Sequence, residues 1–173
     1  AAMPVGIHTA TVTLTNTSSA AVFSRAVTLR VLGYPEIIVE QPENIPLITG
    51  SSAVTFGSPL LTTTSIRQFI IRNQGNSPLN LGARTLSGEH ASQFSLATPS
   101  TTVIAPGDFG SLNVTYAPTL QGEHEATLTL ASNDADTPLF SVDLTGEGLA
   151  LSAGIELSGT PNGVVAGINP SAM

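Results

Sequence analysis

Cysteine, tryptophan and lysine are all absent from this chain of 173 residues. The lack of cysteine excludes disulfides, thiolate metal sites and cysteine nucleophiles together. Charged residues make up only 10% of the chain and aromatic residues 5%, whereas hydrophobic residues make up 41%. This balance is typical of a folded chain, because disordered chains combine few apolar residues with many charges.

Positive charge is scarce as well. Five arginines stand against twelve aspartates and glutamates, which gives a formal net charge of -7. A surface of this sign repels phosphate groups, so nucleic acid and anionic membrane surfaces are disfavoured as partners.

Long apolar runs are also missing. None approaches the roughly 18 residues that cross a bilayer, and Ala1-Ala2-Met3-Pro4 lacks the basic and apolar regions of a signal peptide. We therefore expect no direct membrane insertion. Because strand-like sequence begins almost at the first residue, we expect the chain to be a piece of a longer protein, with any signal or anchor elsewhere.

What the chain does contain is a series of short alternating segments of apolar residues with Thr and Ser. The alternation from Gly6 to Asn16, resumed through Val27 to Val31, predicts a β-hairpin. Between residues 34 and 149 it predicts six or seven more short strands, with turns roughly every 8 to 12 residues. One of these turns, Asn73 to Pro78, contains Asn and Gly, which accept positive φ, and predicts a second hairpin with Leu79 on its returning strand.

These patterns predict an all-β fold, an immunoglobulin-like antiparallel sandwich with an additional N-terminal hairpin. We assign residues 1–33 to the N-terminal β-hairpin and residues 34–149 to the sandwich. Residues 150–173, rich in Gly, Ser and Pro, are a C-terminal tail or the start of a next module.

Several short motifs follow one another in residues 35–149. They are Phe69-x-Ile71-x-Asn73-x-Gly75, Pro78-Leu79-x-Leu81, Phe94-x-Leu96, Ile104-x-Pro106-Gly107, Val114-x-Tyr116-x-Pro118, Ser132-Asn133-Asp134 and Leu144-x-Gly146-x-Gly148. Through them the segment resembles the bacterial choice-of-anchor D repeat, a member of the ASH or Hydin-like group of immunoglobulin-like modules. Residues 1–33 separately resemble the last hairpin of another immunoglobulin-like repeat, and so form a partial repeat.

The resemblance implies a secreted or cell-surface bacterial protein in which such modules are strung together, and it implies no substrate. Our leading hypothesis is a non-catalytic structural or adhesive module of a surface or extracellular array or filament. It would assemble through β-strand edges with other copies of itself or with neighbouring immunoglobulin-like modules. The alternative is a recognition module whose loops bind a protein or glycan ligand.

Few residues suggest site chemistry. Asn133, Asp134 and Asp136 offer oxygen ligands at a spacing that suits calcium, and we expect no other cofactor. Such residues also bond their own backbone in turns. His124 lies between Glu123 and Glu125, and strand alternation puts the imidazole on the opposite face from the carboxylates, which argues against a metal site there. No Gly-x-Ser-x-Gly elbow is present, so we expect no enzyme.

Other residues must cover one face of the predicted N-terminal hairpin, because two strands alone cannot bury a face. Three parts of the protein or its neighbours could supply these residues. They are the sandwich of the same chain, the segment from Leu149 to Leu157, and a strand edge on a neighbouring copy, which would polymerise.

Overall fold

The computed structural model describes residues 3–151, together with the backbone of residues 157–160 and 163–166. The strands in these ranges are β1 Gly6–Thr15, β2 Val22–Val31, β3 Ile37–Glu40, β4 Ala53–Thr55, β5 Ser65–Asn73, β6 Leu79–Ser87, β7 Phe94–Leu96, β8 Val103–Ile104, β9 Phe109–Tyr116, β10 Gly122–Ser132, β11 Leu139–Gly148, β12 Leu157–Thr160 and β13 Gly163–Ala166. A short 3₁₀ turn spans Ala91–Gln93. No helix long and apolar enough for a membrane span occurs in the part of the chain that the structure describes.

Strands β3 to β11 form a sandwich of two sheets. One sheet has the order β4-β11-β10-β6-β8 and the other β3-β5-β9-β7. The neighbours are antiparallel except β4 and β11, which are parallel. The predicted all-β, immunoglobulin-like antiparallel sandwich with an additional N-terminal hairpin is therefore confirmed.

The number of strands predicted for the sandwich was too low. Nine strands are present, and β8, which the alternation did not predict, spans only Val103–Ile104. A segment this short contains too few residues for alternation to be visible in the sequence. The domain boundaries at residues 33 and 149 remain predictions, and most of the predicted tail, residues 150–173, lies outside the described residues.

The second predicted hairpin was wrong, because β5 and β6 lie in different sheets. The turn between them crosses from one sheet to the other. Asn73 holds it: the buried side chain accepts a hydrogen bond from the Gly75 amide at 3.0 Å and donates one to the Ile104 carbonyl at 3.0 Å. Gly75 is required because the backbone at Tyr34 approaches it closely: a Cβ at residue 75 would clash with the Tyr34 carbonyl oxygen. Its φ is not positive.

Alternation along the strands explains the core. On β9, Leu112, Val114 and Tyr116 are buried, whereas the residues between them face outward. On β10 the same period buries four residues, His124, Ala126, Leu128 and Leu130. Each large apolar side chain buried in this way stabilises the fold by about 1.5 to 3 kcal/mol, so the two inner faces together hold the sandwich closed.

The N-terminal hairpin, strands β1 and β2, forms a separate two-stranded sheet. Its ten residue pairs run from Gly6 with Val31 to Thr15 with Val22. Two hydrogen bonds fix the segment that joins it to the sandwich. The Tyr34 amide donates to the Asn76 Oδ1 at 2.8 Å, and the Asn76 amide donates to the Tyr34 carbonyl at 2.9 Å. The hairpin itself is exposed on both faces.

Candidate functional site

Unpaired strand edges are the part of a β fold best suited to binding another chain, because they present free backbone donors and acceptors. In the sandwich the edge strands β3, β4, β7 and β8 offer only two to four residues each. The N-terminal hairpin differs, because β1 and β2 are ten residues long and, among the described residues, pair only with each other. It therefore presents the two longest free edges in this part of the chain.

The N-terminal hairpin is also amphipathic. One face carries a row of threonines, Thr9, Thr11, Thr13 and Thr15. The other, which we call the apolar face, carries Ala10, Val12, Leu14, Phe23, Val27 and Leu29, with Arg25 opposite Val12. The exposed fraction of Leu14 and of Phe23 is 67%. An amphipathic sheet face with this much exposed apolar area is typical of an interaction surface.

The predicted calcium ligands lie in the loop between β10 and β11. Asp134 is buried, and its two carboxylate oxygens are already bonded to backbone amides: Oδ2 accepts from Ile37 at 2.9 Å, and Oδ1 accepts from Asp136 at 2.9 Å and Thr137 at 3.3 Å. The side chain of Asp134 thus ties the loop to the start of β3.

Asn133 bonds elsewhere. Its Oδ1 accepts from the Asn80 amide at 2.7 Å and its Nδ2 donates to the Pro78 carbonyl at 3.1 Å, which fixes the loop to the start of β6. Its amide oxygen, one of the three predicted ligands, is therefore already bound to backbone.

Sequence reasoning missed a third carboxylate, Glu36. One carboxylate oxygen each from Glu36, Asp134 and Asp136 lies within 4.8 Å of the others, a spacing that could hold a metal ion. Glu36 is far away in the sequence, and only the packing of β3 against the loop brings it near. The calcium site at Asn133, Asp134 and Asp136 remains a prediction, and Glu36 adds a further carboxylate beside two of these residues.

The histidine prediction holds in its geometry. His124 is buried, whereas Glu123 and Glu125 on either side are exposed. The His124 Nδ1 lies 2.7 Å from the hydroxyl of Tyr116, and the His90 ring packs against it with centroids 4.9 Å apart. Burial lowers the pKa of His124, and the neighbouring His90 lowers it further. This cluster belongs to the core and has the properties of a structural contact.

An acidic groove of about 690 Å³ opens on the outer face of the five-stranded sheet. Glu89, Glu123, Glu125 and Asp143 line it, and no arginine does. Such a lining favours cationic groups over anionic ones. Among the described residues that line the groove, His90 is the one with an aromatic ring.

A family model described as HYDIN/CFA65/VesB-like, Ig-like domain matches residues 46–147, which is more than half of the chain. The chain belongs to this family. The match confirms the predicted ASH or Hydin-like module, while the narrower choice-of-anchor D assignment remains a prediction. Membership of the HYDIN/CFA65/VesB-like family supports a non-catalytic module in general.

Among solved structures, the HYDIN/CFA65/VesB-like chain is similar to a protein of unknown function from Porphyromonas gingivalis W83, with 22% identity and a TM-score of 0.50 over 84% of this chain and 67% of that one. The Vibrio cholerae VesB protease matches with 15% identity and a TM-score of 0.45, over 56% of this chain and 30% of the protease. The ASH/PapD-like domain 7 of human CEP192 matches with 12% identity and a TM-score of 0.47, over 67% and 87%. Comparison with curated proteins gave no significant match.

Proposed function

We propose that this chain is a structural or adhesive module of a bacterial surface or extracellular array, and that it assembles through β-strand edges. Its partners would be neighbouring immunoglobulin-like modules or other copies of itself. The observation that carries the proposal is the N-terminal hairpin, which has two free ten-residue edges and an exposed apolar face.

Two further features support this function. The sandwich protects its own edges by keeping them short, which is the usual defence against unwanted pairing, so the long hairpin edges stand apart as surfaces for pairing. The composition, without lysine and with few charged residues, suits close packing of neighbouring proteins, because few charged side chains have to be brought into the contact. A secreted or cell-surface location is part of the proposal.

The first test is the mass of the chain in solution, measured by light scattering on a sizing column over a wide range of concentration. Species that grow with concentration support assembly between copies. A mass that stays that of the monomer at every concentration would leave neighbouring modules of the same polypeptide as the partners.

Deletion of residues 1–33 gives the decisive variant for assembly between copies. We expect it to abolish any self-association, while Asn133→Ala and Asp136→Ala in the β10–β11 loop leave self-association unchanged. The opposite pattern would support the alternative, a module that binds a ligand through its loops.

A further inference from the structure

The N-terminal hairpin repeats the sequence of β10 and β11, the last hairpin of the sandwich. Residues 6–16 align with 122–132 without a gap, and the Gly, His, Ala, both Thr and the Leu are identical, which is six of the eleven positions. On the second strand, Phe23-Ser24 aligns with Phe140-Ser141 and Thr28 with Thr145. In this alignment the offset in residue number is one larger for the second strands than for the first strands, because the loop of β10–β11 is one residue longer than that of β1–β2.

The pairing of the strands repeats as well. Leu14 lies opposite Phe23 in the N-terminal hairpin, and their equivalents Leu130 and Phe140 lie opposite each other in β10–β11. All ten pairs of the first hairpin correspond to the ten pairs of the second in this way. A slip of one residue would turn every side chain to the other face, so the shared register places equivalent residues on equivalent faces.

What differs is the cover over the apolar face. Leu14 and Phe23 are each 67% exposed, whereas Leu130 is 1% and Phe140 is 3% exposed. In the sandwich, the strands that precede β10 supply this cover: β5 and β9 from the opposite sheet, with β6 alongside β10 and β4 alongside β11. The N-terminal hairpin has the residues and register of a last hairpin without its first strands among the described residues.

We propose that the N-terminal hairpin is the last hairpin of a second immunoglobulin-like module, and that the earlier strands of that module cover its apolar face from a position N-terminal to Gly6 in the same polypeptide. The chain order of the sandwich argues for this position, because every strand that covers β10–β11 precedes it. There, β3 starts at residue 37 and β10 at residue 122, so 85 residues carry the preceding strands. The inference rests on the proposed function, whose neighbouring module it identifies.

A second copy fits the apolar face less well. Its sandwich is already closed by its own β10–β11, so it has no vacant place for a further hairpin. Two N-terminal hairpins packed face to face would bring two copies of Arg25 into one small apolar interface, and an unpaired guanidinium is costly to bury.

Arg25 is the main departure from the repeat, since its equivalent is the buried Val142. The covering strands must therefore provide a carboxylate near Arg25 or leave its guanidinium a route to solvent. The preceding module is thus expected to differ from the described sandwich at the side chains that surround this position.

Hydrogen exchange followed by mass spectrometry tests the cover directly. It compares this chain, at two concentrations about a hundredfold apart, with the same chain extended by the residues that its gene encodes upstream of Ala1. In the short chain we expect peptides from β1 and β2 to exchange quickly at both concentrations, while the matched peptides from β10 and β11 stay protected. In the extended chain we expect exchange in β1 and β2 to slow by at least about a hundredfold.

Four results would overturn the inference. Protection of the hairpin in the short chain at both concentrations would assign the cover to the chain's own residues 150–173. Protection that rises with concentration would assign it to a second copy. A gene with too few upstream residues for the missing strands, or an extended chain whose hairpin still exchanges quickly, would remove the proposed partner altogether.

Two matched variants confirm which face is covered. Phe23→Asp places a charge on the apolar face and should abolish the added protection in the extended chain, whereas Val22→Asp, on the threonine face, should retain it. Both variants should leave exchange in β10 and β11 unchanged. Light scattering measures assembly between copies, whereas hydrogen exchange measures whether the hairpin is covered within one polypeptide. The proposed function and this inference can therefore fail separately.

Discussion

The two hairpins of this molecule share sequence, register and amphipathic pattern, yet one is buried and the other is exposed. The comparison separates what a hairpin's own residues determine from what its surroundings add. Strand length, pairing and the choice of apolar face are common to both, so they follow from the local sequence. Burial, and with it most of the stabilisation, depends on the strands that precede the hairpin.

The largest effect is expected where the two hairpins differ most, at Val142 and Arg25. Val142→Arg would place an unpaired charge in the closed core and should lower the free energy of unfolding by about 4 kcal/mol or more. The matched Arg25→Val change in the exposed hairpin should alter it by no more than about 0.5 kcal/mol. Urea unfolding followed by circular dichroism measures both, and similar effects of the two changes would show that the faces are equally covered.

Truncation of equivalent leucines gives the next largest contrast. Leu130→Ala should cost about 2 to 5 kcal/mol, because it leaves a cavity in a packed core. Leu14→Ala removes a side chain that is 67% exposed, so its cost in the same chain should stay below about 0.5 kcal/mol. If Leu14→Ala proved as costly as Leu130→Ala, the apolar face would be buried in solution.

How much of this fold was predictable follows from the same contrast between local and distant contacts. Alternation, as at Leu112, Val114 and Tyr116, is local, and it predicted the sandwich and the N-terminal hairpin correctly. The turn residues Asn73 to Pro78 have the same chemistry whether the flanking strands pair or lie in different sheets, so the second hairpin was predicted wrongly. Glu36 meets Asp134 only through the tertiary fold, and no local pattern could have indicated that contact.

The relation between the two hairpins, by contrast, was available in the sequence. The aligned Gly-x-His-x-Ala-Thr-x-Thr-Leu pattern at residues 6–14 and 122–130 is an internal repeat. Each copy by itself shows only the alternation common to many strands, and the comparison of one with the other carries the information.

Two aspartates in the β10–β11 loop give a contrast of intermediate size. Asp134→Asn removes an acceptor from a buried carboxylate that three backbone amides use, and it should cost about 1 to 3 kcal/mol. Asp136→Asn, at an exposed position in the same loop, should cost less than about 0.5 kcal/mol. Thermal unfolding of these variants with calcium and with chelator also tests the calcium prediction: a shift in Tm that both substitutions abolish would support the site, and no shift would reject it.

The smallest expected effect is the pH dependence that the buried His124 contributes to stability. Burial lowers the pKa of His124 in the folded state, and His90 lowers it further. The unfolded chain therefore takes up a proton first as the pH falls below about 6.5. Proton binding to the unfolded state lowers stability, so this part of the stability is complete above that pH and is lost progressively as the pH falls toward the folded pKa. Urea unfolding at pH 7.5 and 5.5 should show a loss of stability that His124→Gln reduces. An unchanged loss in the His124→Gln variant would mean that the buried ring accepts its proton as readily as the unfolded chain does.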